Sequence, residues 1–214
     1  MKMKTSICIL SAVSLLALAC YAEPTSLEKL PACCAKDSAS AETNALPLTD
    51  ESLYQLESMW TTDAGQATKL VDLRGKPQLV TMFFASCNYA CPILVTDLKR
   101  IEKALPAELR SKVGFTLVSI DPEQDTPKVL TKYRSVHHLG KNWTLLNGNS
   151  DDVLELAALV GVKFKKDDSG QFAHSNIITL LNANGEIVMQ QIGLNRDPAE
   201  TVAAVEKLLS ASSH

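Results

Sequence analysis

The stretch LVTMFFASCNYACPIL, residues 79–94, decides how the rest of the chain is read. Its apolar half, Leu79 to Ala85, is too short for a typical buried helix and predicts a core strand. Pro92 follows the second cysteine and suits the first turn of a helix, where a missing N–H costs nothing. The junction is therefore strand, CxxxC loop, helix. It presents Cys87 and Cys91 at the edge of a sheet, beside the positive end of a helix dipole. That field favours thiolate over thiol, and thiolate is the form that attacks disulfides and binds soft metals.

Working outward, Leu94, Leu98, Ile101 and Leu105 recur at spacings of four, three and four, which predicts a helix over Pro92 to Leu105. Upstream, Gly75-Lys76-Pro77 breaks the chain before the strand. Before that break, the runs Tyr54 to Trp60 and Ala67 to Leu73 flank TTDAG, a turn-like insert. Downstream, Val113 to Ile120 predicts a strand, Thr126 to His137 a helix with Pro127 near its start, and Trp143 to Leu146 a short strand. Asp152 to Val160 predicts a helix capped by Ser150. Ile177 to Leu181 and Glu186 to Ile192 are strand runs joined by Asn182-Ala183-Asn184-Gly185, a hairpin signal. Pro198 to Ser210 closes the chain as a helix.

Strands alternating with helices, followed by a hairpin and a last helix, predict an α/β fold: a mixed central sheet with helices on both faces. Sites in such sheets lie at the carboxyl ends of strands, which is where Cys87 falls. The organisation resembles a thioredoxin-like fold with an N-terminal extension and an insertion after the central strand.

The beginning of the chain has the build of a secretory signal over residues 1–22. Lys2 and Lys4 precede an apolar run, Ile7 to Leu18, that is too short to span a bilayer comfortably. Two cleavage points compete. A cut after Ala19 would leave Cys20 N-terminal, as in a bacterial lipoprotein with a lipid anchor; a cut after Ala22 would release a soluble product. Either predicts export to a periplasm, where thiols meet oxidants.

Residues 23–47 are rich in Ala, Ser, Glu, Thr and Pro and read as a flexible linker. Cys33-Cys34 within it are incidental thiols or a capture point for metal or other thiols. Of the six cysteines, Cys8 lies in the signal and Cys20 at its boundary. The four that remain are too sparse for a disulfide-stapled scaffold and read as sites. A net charge of −3 with both signs interspersed gives no basic stripe for nucleic acid.

Five ordered motifs resemble one family. FFASCNYACP is similar to the signature of the Sco/SenC copper-chaperone family, and SIDPEQDTPKVLTKY, residues 119–133, resembles its S-x-D-P-x-x-D-T-P segment. WTLLNG at 143–148, VGVKF at 160–164 and AHSNIITLLNANGEI at 173–187 follow in the expected order, so the resemblance covers about residues 48–210. It implies a thioredoxin-like domain that binds copper, as Cu(I), Cu(II) or both, through Cys87, Cys91 and His174. The same two cysteines would form a redox-active disulfide when metal is absent.

The family delivers copper to the dinuclear copper site of cytochrome c oxidase, so subunit II of that enzyme is the implied partner. Alternatively it keeps the cysteines of that site reduced, which calls for a thiol reductant protein. Two positions depart from the family pattern: Asn88 stands where proline is common after the first cysteine, and Ala173 where an aspartate usually precedes the histidine.

Two thiolates and an imidazole suit soft, low-coordinate Cu(I). Three residues between the cysteines, rather than two, lengthen the loop and let both sulfurs converge on one ion. Three other chemistries compete. A thiol–disulfide reductase would use Cys87 and Cys91 without His174. A peroxidase would place threonine where this chain has Phe84. Structural zinc normally closes four ligands, and only three are evident.

His174, taken alone, reads as structural or exposed; the resemblance makes it a ligand. His137 and His138 read as solvent-facing or as dipole partners at a helix C-terminus. Asp121 and Asp125 read as a turn and helix start, with Asp125 or Thr126 as the cap; the functional alternative puts Asp121 near the metal loop. Met59, Met82 and Met189 are scattered and read as core.

Overall fold

The computed structural model describes residues 47–168 and 170–211. The signal expected at 1–22, Cys20, Cys33, Cys34 and all but the last residue of the linker expected at 23–47 lie outside them. The described chain runs β1 (Met59–Thr62), β2 (Ala67–Lys69), β3 (Gln78–Phe83), α1 (Ala90–Ala104), α2 (Ala107–Arg110) and β4 (Gly114–Ser119). It continues through α3 (Pro127–Val136), β5 (Trp143–Asn147), α4 (Ser150–Leu159), β6 (Phe164–Lys166) and β7 (Phe172–His174). β8 (Ile177–Leu181), β9 (Ile187–Ile192) and α5 (Ala199–Ala211) complete it.

Seven strands form one mixed sheet in the order β2-β1-β5-β4-β3-β8-β9. β3, β4 and β5 are parallel neighbours, and the remaining pairs are antiparallel. All six residues of β3 and all six of β4 are buried. That explains their near-continuous apolar sequence, as expected of strands covered on both faces. Full burial of side chains such as Leu79, Met82 and Phe83 contributes on the order of 2 kcal/mol each.

The buried polar atoms in these strands are partnered. Gln78 Oε1 accepts from Thr116 Oγ1 at 3.2 Å, and its Nε2 donates to the Leu73 carbonyl at 3.2 Å. On β4 and β5, Phe115 and Trp143 stack at 4.9 Å, and Trp143 Nε1 donates to Glu102 of α1 at 3.1 Å. The thioredoxin-like core is β3-α1-β4-α3-β8-β9-α5. The β1–β2 hairpin is the N-terminal extension and joins the sheet by pairing with β5. β5, α4 and the β6–β7 ribbon form the insertion.

Several boundaries differ from the sequence expectation, each for a local reason. The predicted run 54–60 becomes strand only from Met59, because Ser52 caps a 3-10 turn at Leu53–Gln55. Met59 is not core: strand alternation turns Trp60 inward and leaves Met59 exposed. Met82 is buried as expected, and Met189 is partly buried against the core. Helix α4 is capped by Asn149, whose Oδ1 accepts from the Asp152 N–H at 2.9 Å, so Ser150 is its first residue rather than its cap.

Neither Asp125 nor Thr126 caps α3 through its side chain; Asp125 is occupied elsewhere, as the site shows. His138 is solvent-facing, but His137 packs its ring on Tyr133 at 4.1 Å. Burial, then the Lys99 and His138 charges, hold His137 below the usual imidazole range, so it is not the cationic dipole partner its position suggested.

The β6–β7 ribbon was not legible as strands. Phe164↔His174 and Lys166↔Phe172 face each other in antiparallel register, outside the main sheet. The signal is present as Phe-Lys-Lys and Phe-Ala-His, but runs of three residues are too short for periodicity to decide.

Candidate metal centre

Helix α1 starts at Ala90, two residues earlier than Pro92 suggested. Cys91 is therefore helical, and Pro92 remains within the first turn, where no N–H is required. Just past the end of β3, Phe84 organises the loop with its backbone. Its N–H donates to Cys91 Sγ at 3.5 Å, and its carbonyl accepts from the Cys87 N–H at 3.2 Å. The Cys91 N–H in turn points at Cys87 Sγ, 3.4 Å away.

Asp125 pins the loop from below. Its Oδ2 accepts from the Ala85 N–H at 3.0 Å and from Ser119 Oγ, at the end of β4, at 2.6 Å. Burial pushes its carboxyl up, against the pull of those two hydrogen bonds. Asp125, rather than Asp121, is the carboxylate at the loop, and Asp121 pairs with Lys166 of β6.

The helix-terminus field acts on the two thiols unequally. Burial pulls the half-buried Cys87 upward, but the Cys91, Tyr89 and Ala90 N–H groups and the Cys91 thiol outweigh it, and its pKa is lowered. Cys91 has no exposed surface. Burial drives its pKa far up, and the Cys87 and Asp125 charges add to this against the Phe84 N–H. At neutral pH Cys91 is therefore a thiol, while Cys87 is the accessible and more acidic member. Iodoacetamide at pH 7 is expected to label Cys87 well ahead of Cys91, as resolved by peptide mass mapping; equal labelling would contradict the asymmetry.

His174 arrives from the other side, at the end of β7. Its Nδ1 lies 3.0 Å from the Ser175 carbonyl, which can only accept, so Nδ1 carries the proton and Nε2 presents its lone pair. That Nε2 is 3.6 Å from Cys91 Sγ. Burial, partly offset by the Ser175 hydrogen bond, lowers its pKa and keeps the ring neutral. Phe84 meets the imidazole edge-on at 5.8 Å. The Sγ and imidazole nitrogen atoms of Cys87, Cys91 and His174 that could hold a metal ion all lie within 4.8 Å of one another. Sequence reasoning named the three residues but missed Phe84, Asp125 and the Ser175 carbonyl, which orient them.

Ala173, where the family's aspartate is absent, faces outward and is exposed, on the opposite face of the ribbon from His174. A carboxylate at that position would point away from the sulfurs.

The fold and the three side chains define the class: a thioredoxin-like domain with a Cys-Cys-His cluster at the carboxyl end of its sheet. The chain belongs to the SCO1/SenC family, whose profile matches residues 51–210. The SCO1 protein homolog of Bacillus subtilis (strain 168) is 28% identical over 150 residues, covering 68% of this chain and 77% of that protein. The solved structure of Bradyrhizobium japonicum ScoI with copper bound is 25% identical with a TM-score of 0.61, covering 71% of this chain and 96% of that one. BsSco, described with a disulfide switch as a member of the Sco family of cytochrome c oxidase assembly proteins, shares the fold. Its TM-score is 0.61 at 22% identity, covering 75% of this chain and 96% of that one.

Proposed function

We propose that this protein binds copper through Cys87, Cys91 and His174 and delivers it to a respiratory copper enzyme. The observation that carries the reading is the approach of His174 Nε2, with its acceptor lone pair turned toward the Cys91 thiol, to within 3.6 Å of Cys91 Sγ. A dithiol that only exchanged disulfides would have no use for an imidazole brought there by a separate ribbon. Two sulfurs and a neutral imidazole form a donor set suited to Cu(I), with imidazole also acceptable to Cu(II). The copper-bound relative supports the metal, and the description of BsSco as one of the cytochrome c oxidase assembly proteins supports that enzyme as the recipient; the motif resemblance points further, to its dinuclear copper site on subunit II. The signal-like residues 1–22 support export to the periplasm, either soluble or held by a lipid on Cys20.

A second reading rests on the unequal thiols. In a reductase, Cys87 thiolate would attack a partner disulfide, forming a mixed disulfide and releasing one partner thiolate. Cys91, giving its proton to that partner thiolate, would then attack Cys87 Sγ, releasing the partner's second sulfur as thiolate and leaving a Cys87–Cys91 disulfide. A thiol reductant protein would restore the dithiol.

Copper titration of the reduced chain beside Cys87→Ser and His174→Ala variants separates the readings. Delivery predicts that both variants bind more weakly and that His174→Ala changes the spectrum of the bound metal. Unchanged affinity and spectrum in His174→Ala, with undiminished reduction of an oxidised subunit II fragment, would leave the reductase.

A further inference from the structure

The ribbon that brings His174 to the sulfurs is two strands of three residues, too small to hold its own position. Its alternation sends Phe164, Lys166, Phe172 and His174 to one face and exposed Lys165 and Ala173 to the other. Two kinds of contact fasten the inner face to the domain. Phe172 packs on Phe84 at 5.2 Å. The Lys166 ammonium lies 3.2 Å from Asp121 Oδ1 and 5.1 Å from the centre of the Phe172 ring.

Asp121 is a buried anchor. It is 3% exposed, and its N–H donates to Ser119 Oγ at 3.0 Å. Its neighbour Ile120 is tied to the end of β3 by a 2.8 Å bond to the Phe83 carbonyl. Lys166 thus spans a buried carboxylate two residues past the end of β4 and an aromatic ring on the strand that ends in His174.

We infer that Lys166 and Asp121 are positioning residues: their ion pair latches the β6–β7 ribbon against the sheet and so holds His174 Nε2 at the cysteines. The role rests on the three-ligand copper reading. It assigns a function to a pair that would otherwise be a half-exposed ion pair of small worth. The latch acts through geometry, since neither group touches the sulfurs.

Lys166→Met keeps the aliphatic stem over Phe172 and removes only the charge; Asp121→Asn keeps shape and removes the other charge; Lys166→Arg keeps the charge. Copper affinity is measured by chelator competition in the full chain, with the nitrogen splitting in the Cu(II) paramagnetic resonance spectrum as the second readout. Lys166→Met and Asp121→Asn are expected to bind copper about tenfold more weakly, in the range typical of lost outer-shell support. They should also lose the imidazole splitting, while Lys166→Arg retains both.

In a His174→Ala background, Lys166→Met should cause no further weakening, because the histidine it places is gone. Parental affinity and spectrum in Lys166→Met would overturn the latch. So would equal weakening in the presence and absence of His174, which would show an effect through the fold alone. An ineffective His174→Ala by itself would instead remove the three-ligand reading, and the latch with it.

Discussion

Cys91→Ser is expected to lower Cu(I) affinity by more than about 100-fold, beyond the upper range for loss of an outer-shell partner. Cys91 Sγ is the hub of the cluster. It takes the Phe84 N–H at 3.5 Å and lies 3.6 Å from His174 Nε2, and its own backbone N–H reaches Cys87 Sγ at 3.4 Å. A serine hydroxyl can keep the Phe84 N–H satisfied, so the fold should survive. It is a hard oxygen that does not ionise near neutral pH, so it offers Cu(I) no soft anionic donor.

The same position sets the pH dependence. Burial holds the Cys91 proton on at neutral pH, so copper must displace it. Affinity should therefore rise with pH, about tenfold per unit for each proton released, and rise less steeply in Cys91→Ser. Competition against a Cu(I) chelator across a pH series reads both quantities. A serine variant that binds within a few-fold of the parent would remove Cys91 from the ligand set.

Phe84→Ala is expected to cost about 3–5 kcal/mol of folding stability, the range for truncating a buried phenylalanine. The side chain is 1% exposed and joins the sheet end to the ribbon. It meets Phe172 at 5.2 Å and the His174 ring at 5.8 Å, while its backbone serves both cysteines. Urea unfolding measures the loss. Because the cavity opens between the sheet end and the ribbon, copper affinity should fall as well, to about the level of His174→Ala. Phe84→Leu should recover most of the stability and part of the affinity. A loss under about 1 kcal/mol in Phe84→Ala would mean that the ring is not the keystone of this contact.

The two predictions divide along the same line as the information in the chain. The core strands at 79–85 and 113–120, the helix after the CxxxC loop and the 182–185 hairpin were readable because long apolar runs and turn residues record local preference directly. Five ordered motifs single out Cys87, Cys91 and His174, three groups that the fold brings within 4.8 Å of one another. The inequality of the thiols was not readable. Both cysteines stand beside the same helix terminus in sequence, and only burial decides that the field lowers Cys87 while desolvation raises Cys91.

The sequence offers Asp125 or Thr126 as the cap because the residues beside them encode a helix start, and Thr126 takes the N-cap position without a side-chain bond. The structure instead spends Asp125 across the sheet end, on Ser119 at the end of β4 and on Ala85, a residue from a different strand end and remote in the chain. His174 shows the limit most clearly. Its strand has three residues, its partner strand another three, and its distance to Cys91 is set by Phe84, Phe172 and the Lys166–Asp121 pair. By itself the sequence determined which fold forms and which side chains have the right chemistry, because periodicity and residue type are local quantities. Which thiol is acidic, which carboxylate supports the loop and how the histidine reaches the sulfurs were decided only by the tertiary structure, because burial and convergence depend on residues remote in the chain.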